Sequence, residues 1–282
     1  MRVALVYNPS AGNFCPHDIA RLDAAFARHG AIVSRHDSLN YRLDEQATPP
    51  DLVCISGGDG TVRTVMCANA AVAHTATFCV HPSGTINLIA REAGYPRNPE
   101  DFARTMSKGR RARAHFGGQV NGLSFLCCAT IGPDSRAVAA VSDRLKQRFG
   151  RLAYVMAFVR LLRRWPREVI DVTIDGDRRR GEGVMIFKAR YYAGPFVLDR
   201  KADMASDRFR VLILPRARRR DYVRLMATGL FGQWLADPRW HRASANRIEL
   251  HSAGSVPIQA DGDVIACAPA IIEIAPRPLQ FL

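Results

Sequence analysis

The sequence predicts an α/β protein in two parts, a domain built on a mostly parallel sheet followed by a β-rich domain. Two observations carry this. Apolar strand-like runs alternate with helical spacing over roughly the first hundred residues, and near residue 109 the pattern changes to short strands broken by turn signals. A third bounds it: 282 residues, 48% hydrophobic, with 21 glycines and 16 prolines scattered along the chain, describe a folded protein with a sizeable core.

Arg2 to Tyr7 is a β-branched and apolar run that ends at Asn8-Pro9, a strand feeding a turn. Residues 17–29 space Ile19, Leu22 and Phe26 along one helical side, and Ala31 to Arg35 is a short second strand. After a polar stretch, Asp51 to Ser56 forms a third strand that runs directly into Gly57, Gly58, Asp59, Gly60 and Thr61. Val62 to Ala70 is helical, Ala76 to Val80 is the next strand, and the loop 82–87 leads into a helical segment to Arg91.

Beyond residue 109, Arg111 to Phe116 and Gln119 to Thr130 are strand-like pieces split by Gly117-Gly118 and Asn121-Gly122. An Asn-Gly pair between apolar runs signals a hairpin. Residues 138–164 form the longest helical candidate, with Leu145, Phe149, Leu152, Met156 and Val159 in one stripe and Gly150 as a break between two helices. Strands are expected at 169–174, 183–191, 209–214, 246–251, 256–259 and 271–274, with a helix near 221–235. The boundary falls near 110–115, giving domains 1–112 and 113–282, and the last strand is free to rejoin the first domain.

Forty Lys and Arg against 26 Asp and Glu give a net charge of +14, which favours an anionic partner. No zinc finger, recognition helix or aromatic-basic motif supports nucleic acid. The seven cysteines are odd in number and include no CxxC pair, as expected of reduced thiols in a cytoplasmic protein. The N-terminus reads as a strand rather than a signal peptide, and no apolar run approaches a bilayer-spanning length. Contact with membrane is therefore expected only from its inner surface.

The chemistry concentrates in DLVCISGGDGT. Glycines let the backbone approach an anion, and the helix behind them adds favourable potential for phosphate oxygens. An acid within such a loop makes sense if Asp59 meets a phosphate-bound cation or takes a proton from a hydroxyl. The competing reading is a tight turn in which Asp59 caps the following helix. Neither GxxxxGK[ST] nor a GxGxxG after the first strand is present. The loops 8–13, 57–61 and 82–87 all leave strands at their carboxyl ends, the edge where open α/β sheets bind ligands.

NPSAG, GGDGT and GTINLIAR, with Asp261-Gly262-Asp263 near the C-terminus, resemble the diacylglycerol kinase catalytic-domain superfamily, which includes bacterial lipid kinases and sphingosine and ceramide kinases. The resemblance implies an NAD kinase/diacylglycerol kinase-like three-layer α/β domain and a β-sandwich-like second domain. ATP would lie between them, with Mg2+ assisting transfer of the terminal phosphate to a lipid hydroxyl. Residue by residue, Asn8 and Gly12 would border the nucleotide, and Gly57, Gly58, Asp59, Gly60 and Thr61 would form the phosphate loop. Gly84, Thr85 and Asn87 would close the other side. Gly132 and Asp134 resemble the family's Gly-x-Asp, and Gly150 to Tyr154 its GxxxY helix. Asp261 is the implied base, with Asp59 as organiser of metal and phosphate and Asp263 as a second metal or water ligand. From the residues alone, 260–263 also reads as a hairpin turn, and two acids one residue apart can point to the same side of an extended segment.

Three acids usual in the family are replaced. Arg63-Thr64 stands for Asn-Glu, Leu88 for the Asp of GTxNDxAR, and Ala205 to Phe209 for a DGxLD segment that can hold structural magnesium, with only Asp207 retained. Arginines and lysines in 144–164 (Arg144, Lys146, Arg148, Arg151, Arg160, Arg163, Arg164), with Arg216 and Arg218 to Arg220, offer a surface for anionic lipid head groups. Alternatively they form a solvated face over the core. Phe158, Leu161 and Trp165 add either an interfacial edge or core. The expectation is an ATP-dependent lipid kinase, against a kinase of a soluble acceptor such as NAD or a nonenzymatic nucleotide or lipid sensor. A homodimer is compatible with the sequence.

Overall fold

The computed structural model describes residues 1–11, 14–141, 156–157, 159–163 and 165–282. They divide into two units, Met1–His115 with Arg277–Leu282, and Phe116–Pro276.

In the first unit, β1 (Arg2–Tyr7), β2 (Ile32–Asp37), β3 (Leu52–Gly57) and β4 (Thr77–Pro82) form a parallel sheet in the order β2-β1-β3-β4. The C-terminal strand Leu279–Phe281 adds parallel to β4, and β5 (Arg113–His115) closes the edge antiparallel to it. Every residue of β3 is buried, which is why LVCIS reads as a continuous apolar run rather than an alternation. Four helices accompany the sheet: α1 (Pro16–Arg28), α2 (Asp59–Ala68), α3 (Leu88–Ala93) and α4 (Pro99–Ser107). Phe26 of α1 meets Phe102 of α4 edge-to-face at 6.1 Å. Two details differ from expectation. Helix α2 begins at Asp59 instead of Val62, and α4 is additional to the expected elements. Its start is written in the sequence: the Asn98 carboxamide oxygen accepts from the Glu100 and Asp101 amides, and Pro99 opens the helix.

In the second unit the strands are β6 (Gly118–Val120), β7 (Leu123–Phe125), β8 (Cys128–Ile131), β9 (Ile170–Ile174), β10 (Asp177–Gly181), β11 (Gly183–Phe187), the short pair β12 (Tyr191–Tyr192) and β13 (Phe196–Val197), β14 (Phe209–Leu214), β15 (His241–Ala245), β16 (Arg247–Ser252), β17 (Pro257–Ala260), β18 (Asp263–Cys267) and β19 (Ala270–Ile274). Two antiparallel sheets result, ordered β10-β9-β16-β19-β6-β7 and β15-β14-β11-β8-β17-β18. One core joins them: Val172, Ile248 and Ile272 from the first sheet pack with Ile186, Val211 and Ile258 from the second. This is a β-sandwich. The outer face of the second sheet is covered in turn. Met185, Phe187 and Leu212 pack beneath Tyr222 and Leu225 of α6 (Arg219–Phe231), so β11 is apolar on both sides. Helix α5 (Pro133–Ala139) follows β8.

Asn121-Gly122 makes the expected hairpin, both residues at positive φ (48° and 83°) between Val120 and Leu123. Asp175-Gly176 (45° and 95°) makes another, which has no apolar run after it because β10 is charged over Asp177 to Arg180 and lies at a sheet edge. The expected strand 183–191 ends at Phe187, and the expected helix 221–235 is α6. The stripe Leu145, Phe149 and Leu152, the Gly150–Tyr154 match, Arg144, Lys146, Arg148, Arg151, Phe158 and Arg164 lie outside the described residues.

Candidate functional site

The parallel register brings the ends of β1, β3 and β4 level, with Tyr7 beside Ser56 and Ser56 beside His81, so the loops that follow leave from one edge. Gly57 ends β3 and Gly58 caps α2. Gly60 and Thr61 occupy its first turn, where backbone N–H groups have no intrahelical acceptor. A Cβ on Gly57 would lie 2.6 Å from the Thr61 Cβ, and one on Gly84 would lie 2.3 Å from the Gly58 Cα. The GGDGT and GTIN loops therefore meet backbone to backbone, at a separation that only glycine permits.

Asp59 makes the second link. Its buried carboxylate caps α3 rather than α2, accepting from the Leu88 amide at 2.9 Å and the Ile89 amide at 3.2 Å. Asn87, in the left-handed conformation at φ 55°, leaves this capping position to Asp59. Its own Nδ2 donates to the Gly84 carbonyl at 2.6 Å, which turns Oδ1 toward the glycines. That oxygen is buried and has no donor among the described residues. Leu88, where the family's acid would be, is a buried apolar residue whose backbone holds Asp59. Thr85 is half-buried in the same loop. Asn8 accepts from the Ser10 amide at 2.9 Å and closes a turn after β1, while Gly12 lies outside the described residues.

Behind the loops, His81 hydrogen-bonds Ser56 Oγ at 3.3 Å and the Arg97 carbonyl at 3.2 Å, and burial lowers its pKa. Beside Asn87 is a cleft of about 260 Å³, lined by Pro82, Ile86, Ala90, Arg91, Tyr95 and Arg97 among others.

Asp261 and Asp263 belong to the second unit. Asp261 and Gly262, both at positive φ (51° and 91°), form a two-residue hairpin between β17 and β18. The Asp261 carboxylate is buried and accepts three amides: Leu126 at 2.6 Å, Cys127 at 2.9 Å and Cys128 at 3.0 Å. The expectation that the two acids share one side of an extended segment therefore fails, because the left-handed turn sends Asp261 back onto β8. Asp261 is an anchor for the turn, and Asp263 opens β18 half-buried.

Sequence reasoning missed what holds this hairpin. Gln259 donates to Thr130 Oγ1 at 2.8 Å and accepts from the Gly262 amide at 3.1 Å. Thr130, Tyr192 and Tyr222 in turn donate to the buried Asp134 carboxylate. Burial, with the Asp134 charge beside them, raises both tyrosines' pKa values. A polar Gln inside the apolar PIQA strand was the available signal.

Among the described residues no three His, Cys, Asp or Glu gather into a metal cage. Magnesium at a phosphate site takes one or two carboxylates and lets the substrate supply further oxygens. A carboxylate such as that of Asp59, within the glycine loop, is a donor of that kind.

Residues 2–118 match the diacylglycerol kinase catalytic domain, and residues 128–282 match the YegS C-terminal NAD kinase beta sandwich-like domain. The chain belongs to this diacylglycerol kinase family. A diacylglycerol kinase of Bacillus subtilis is 28% identical over 276 residues, covering 93% of this chain and 89% of that protein. One of Staphylococcus carnosus is 21% identical over 279 residues, with 95% and 90% covered. In fold, the chain is similar to a diacylglycerol kinase structure from Bacillus anthracis (TM-score 0.76, 18% identity, 99% and 96% covered). It is also similar to an Archaeoglobus fulgidus NAD kinase in complex with ATP (TM-score 0.56, 17% identity, 100% and 93% covered).

Proposed function

We propose that this chain transfers the terminal phosphate of ATP to a hydroxyl of a lipid such as diacylglycerol or a sphingoid or ceramide lipid. The observation that carries the reading is the glycine contact of the GGDGT and GTIN loops, with the buried, unpartnered Asn87 oxygen beside it. Buried polar atoms are rarely left without a partner, and the ribose hydroxyls or the adenine amino group of a nucleotide are suitable donors. The names of the relatives at 28% and 21% identity favour a lipid acceptor.

In this reading the first-turn amides of α2 hold the phosphates. The acceptor oxygen attacks the γ-phosphorus, the bond to the ADP oxygen breaks, and the hydroxyl proton passes to the Asp263 carboxylate. Asp263 takes this role in place of Asp261, whose oxygens are engaged by three amides. Magnesium, when bound, offsets the charge on the transferring phosphate.

Two variants separate the acids. Asp263→Asn lowers kcat by about 10²–10⁴-fold, with ATP affinity and melting temperature near wild type. Asp261→Asn turns an amide group toward backbone donors and lowers stability by about 1–3 kcal/mol. An Asp263→Asn enzyme of wild-type kcat would remove that residue from the chemistry.

A further inference from the structure

Helix α6 exposes apolar side chains opposite its buried side. Its inner side (Tyr222, Leu225, Thr228, Gly229) is buried, and a Cβ on Gly229 would come within 3.0 Å of Phe196. Its outer side should then be polar, as on an ordinary surface helix. Instead it exposes Val223 (66%), Leu230 (52%) and Phe231 (70%), and the following turn exposes Trp234 (79%). Val223 and Leu230, seven residues apart, share one line of the helix, Phe231 follows at its last position, and Trp234 lies in the short 3-10 turn Gln233–Leu235.

The turn that carries the aromatics is pinned from beneath. Gln233 donates to the Val197 and Leu198 carbonyls at 3.0 and 3.1 Å and accepts from Arg242 at 2.8 Å. Arg224 donates to the Leu235 and Ala236 carbonyls at 2.7 and 3.2 Å. The Trp234 indole N–H donates to the Phe231 carbonyl at 3.1 Å. Gly232, at φ 125°, allows this path, and a Cβ there would press on Trp234 at 3.1 Å. The two aromatic rings are thus held outward and cannot collapse onto the protein.

Charge selects the partner. Residues 216–240 contain six arginines and two acids. Both acids are buried and paired, Asp221 with Arg218, and Asp237 with Arg224 and Arg239. Arg216, Arg219 and Arg220 are exposed at the start of the same helix. A face that is apolar at one end, cationic at the other and without an outward acid complements anionic head groups above hydrocarbon. A second copy docking symmetrically by this same face would bring no acid to meet these arginines.

We propose that the outer face of α6 and the Gln233–Leu235 turn is an insertion surface for an anionic bilayer, with Phe231 and Trp234 entering the interface and Arg219 and Arg220 meeting lipid phosphates. The proposal rests on the lipid-acceptor reading only for its purpose, since binding to vesicles requires no turnover.

The test uses the full chain with phosphatidylcholine vesicles, with and without 25% phosphatidylglycerol, and with brominated phosphatidylcholine as a fluorescence quencher. Trp240 is buried and Trp165 half-buried, so quenching reports chiefly on Trp234. Wild type is expected to bind anionic vesicles and be quenched, and Trp234→Phe to lose the quenching while still binding. Phe231→Ser with Trp234→Ser should weaken binding by roughly tenfold per aromatic. Arg219→Ser with Arg220→Ser should weaken it by roughly fivefold per arginine at low salt. Phosphorylation of a short-chain, water-soluble diacylglycerol should be unchanged in both. Vesicle binding indifferent to all four residues, or absent quenching of bound wild type, overturns the proposal. So does a concentration-dependent dimer that the aromatic variant abolishes without any vesicle binding. If no lipid is phosphorylated but binding still needs Phe231 and Trp234, the surface stands and the kinase reading falls.

Discussion

Replacing Asp59 with Asn distinguishes an acid that builds the phosphate loop from one that only organises metal. In the wild type, two backbone amides at the start of α3 donate to the two carboxylate oxygens, at 2.9 and 3.2 Å. Asn presents one oxygen and one NH2, so in either rotamer one buried amide faces another donor. Leaving a buried donor unsatisfied costs about 1–3 kcal/mol, and the lost negative charge at a helix N-terminus adds to this. Each kcal/mol lowers the melting temperature by roughly 2–4 °C in a protein of this size class. The perturbed amides belong to the segment that also carries Gly84 and Asn87, so ATP affinity falls too, by about tenfold for each 1.4 kcal/mol of loop order lost. The assay is a thermal melt together with ATP titration in magnesium and in EDTA. Asp59→Asn should melt earlier and bind ATP more weakly in both. A variant with wild-type melting and wild-type affinity in EDTA, defective only when magnesium is present, would refute the loop-building role.

Gly84→Ala places a methyl group 2.3 Å from the Gly58 Cα and 2.7 Å from Asn87 Oδ1, a clash with backbone that no rotamer relieves. Overpacking of this kind costs about 1–3 kcal/mol, and the variant should lose ATP binding by calorimetry before it loses its fold by circular dichroism. Lys188 is fully buried with its ammonium donating to the Ser206 and Arg208 carbonyls, and burial lowers its pKa to about 8, partly countered by Asp203 and Asp207. From pH 8 to 10.5 the unfolded chain holds this proton and the folded chain releases it, so stability rises with pH across that window. Relative to Lys188→Met, wild type should gain up to about 3 kcal/mol between pH 7 and 10.5 in urea titrations, and a flat difference would mean the ammonium is not desolvated.

The local half of this architecture is legible in the residues. LVCIS followed by GGDGT names a buried strand and a glycine loop, and Asn121-Gly122 names its hairpin, because each depends on neighbours in sequence. What escaped depends on partners far along the chain. Asp59 finds its amides 29 and 30 residues later, and Asp261 reaches amides 133 to 135 residues earlier. For Asp261, the period-two alternation of strands does not hold, because the hairpin places the residue at positive φ. The start of α4 is local too, since Asn98-Pro99-Glu100-Asp101 is a capping residue followed by a first-turn proline and two acids. The exposed aromatics of α6 carry no sequence signal, since Phe231 and Trp234 look like core residues until the helix's other face is seen to be filled.

The central claim is phosphate transfer from ATP to a lipid hydroxyl. It is tested most directly by incubating the full chain with terminally labelled ATP and magnesium over a panel of diacylglycerol, sphingosine, ceramide and phosphatidylglycerol, with NAD alongside. The account predicts a labelled lipid, formed by wild type and lost in Asp263→Asn. Label appearing only in NAD, or in nothing while ATP still binds, would contradict it.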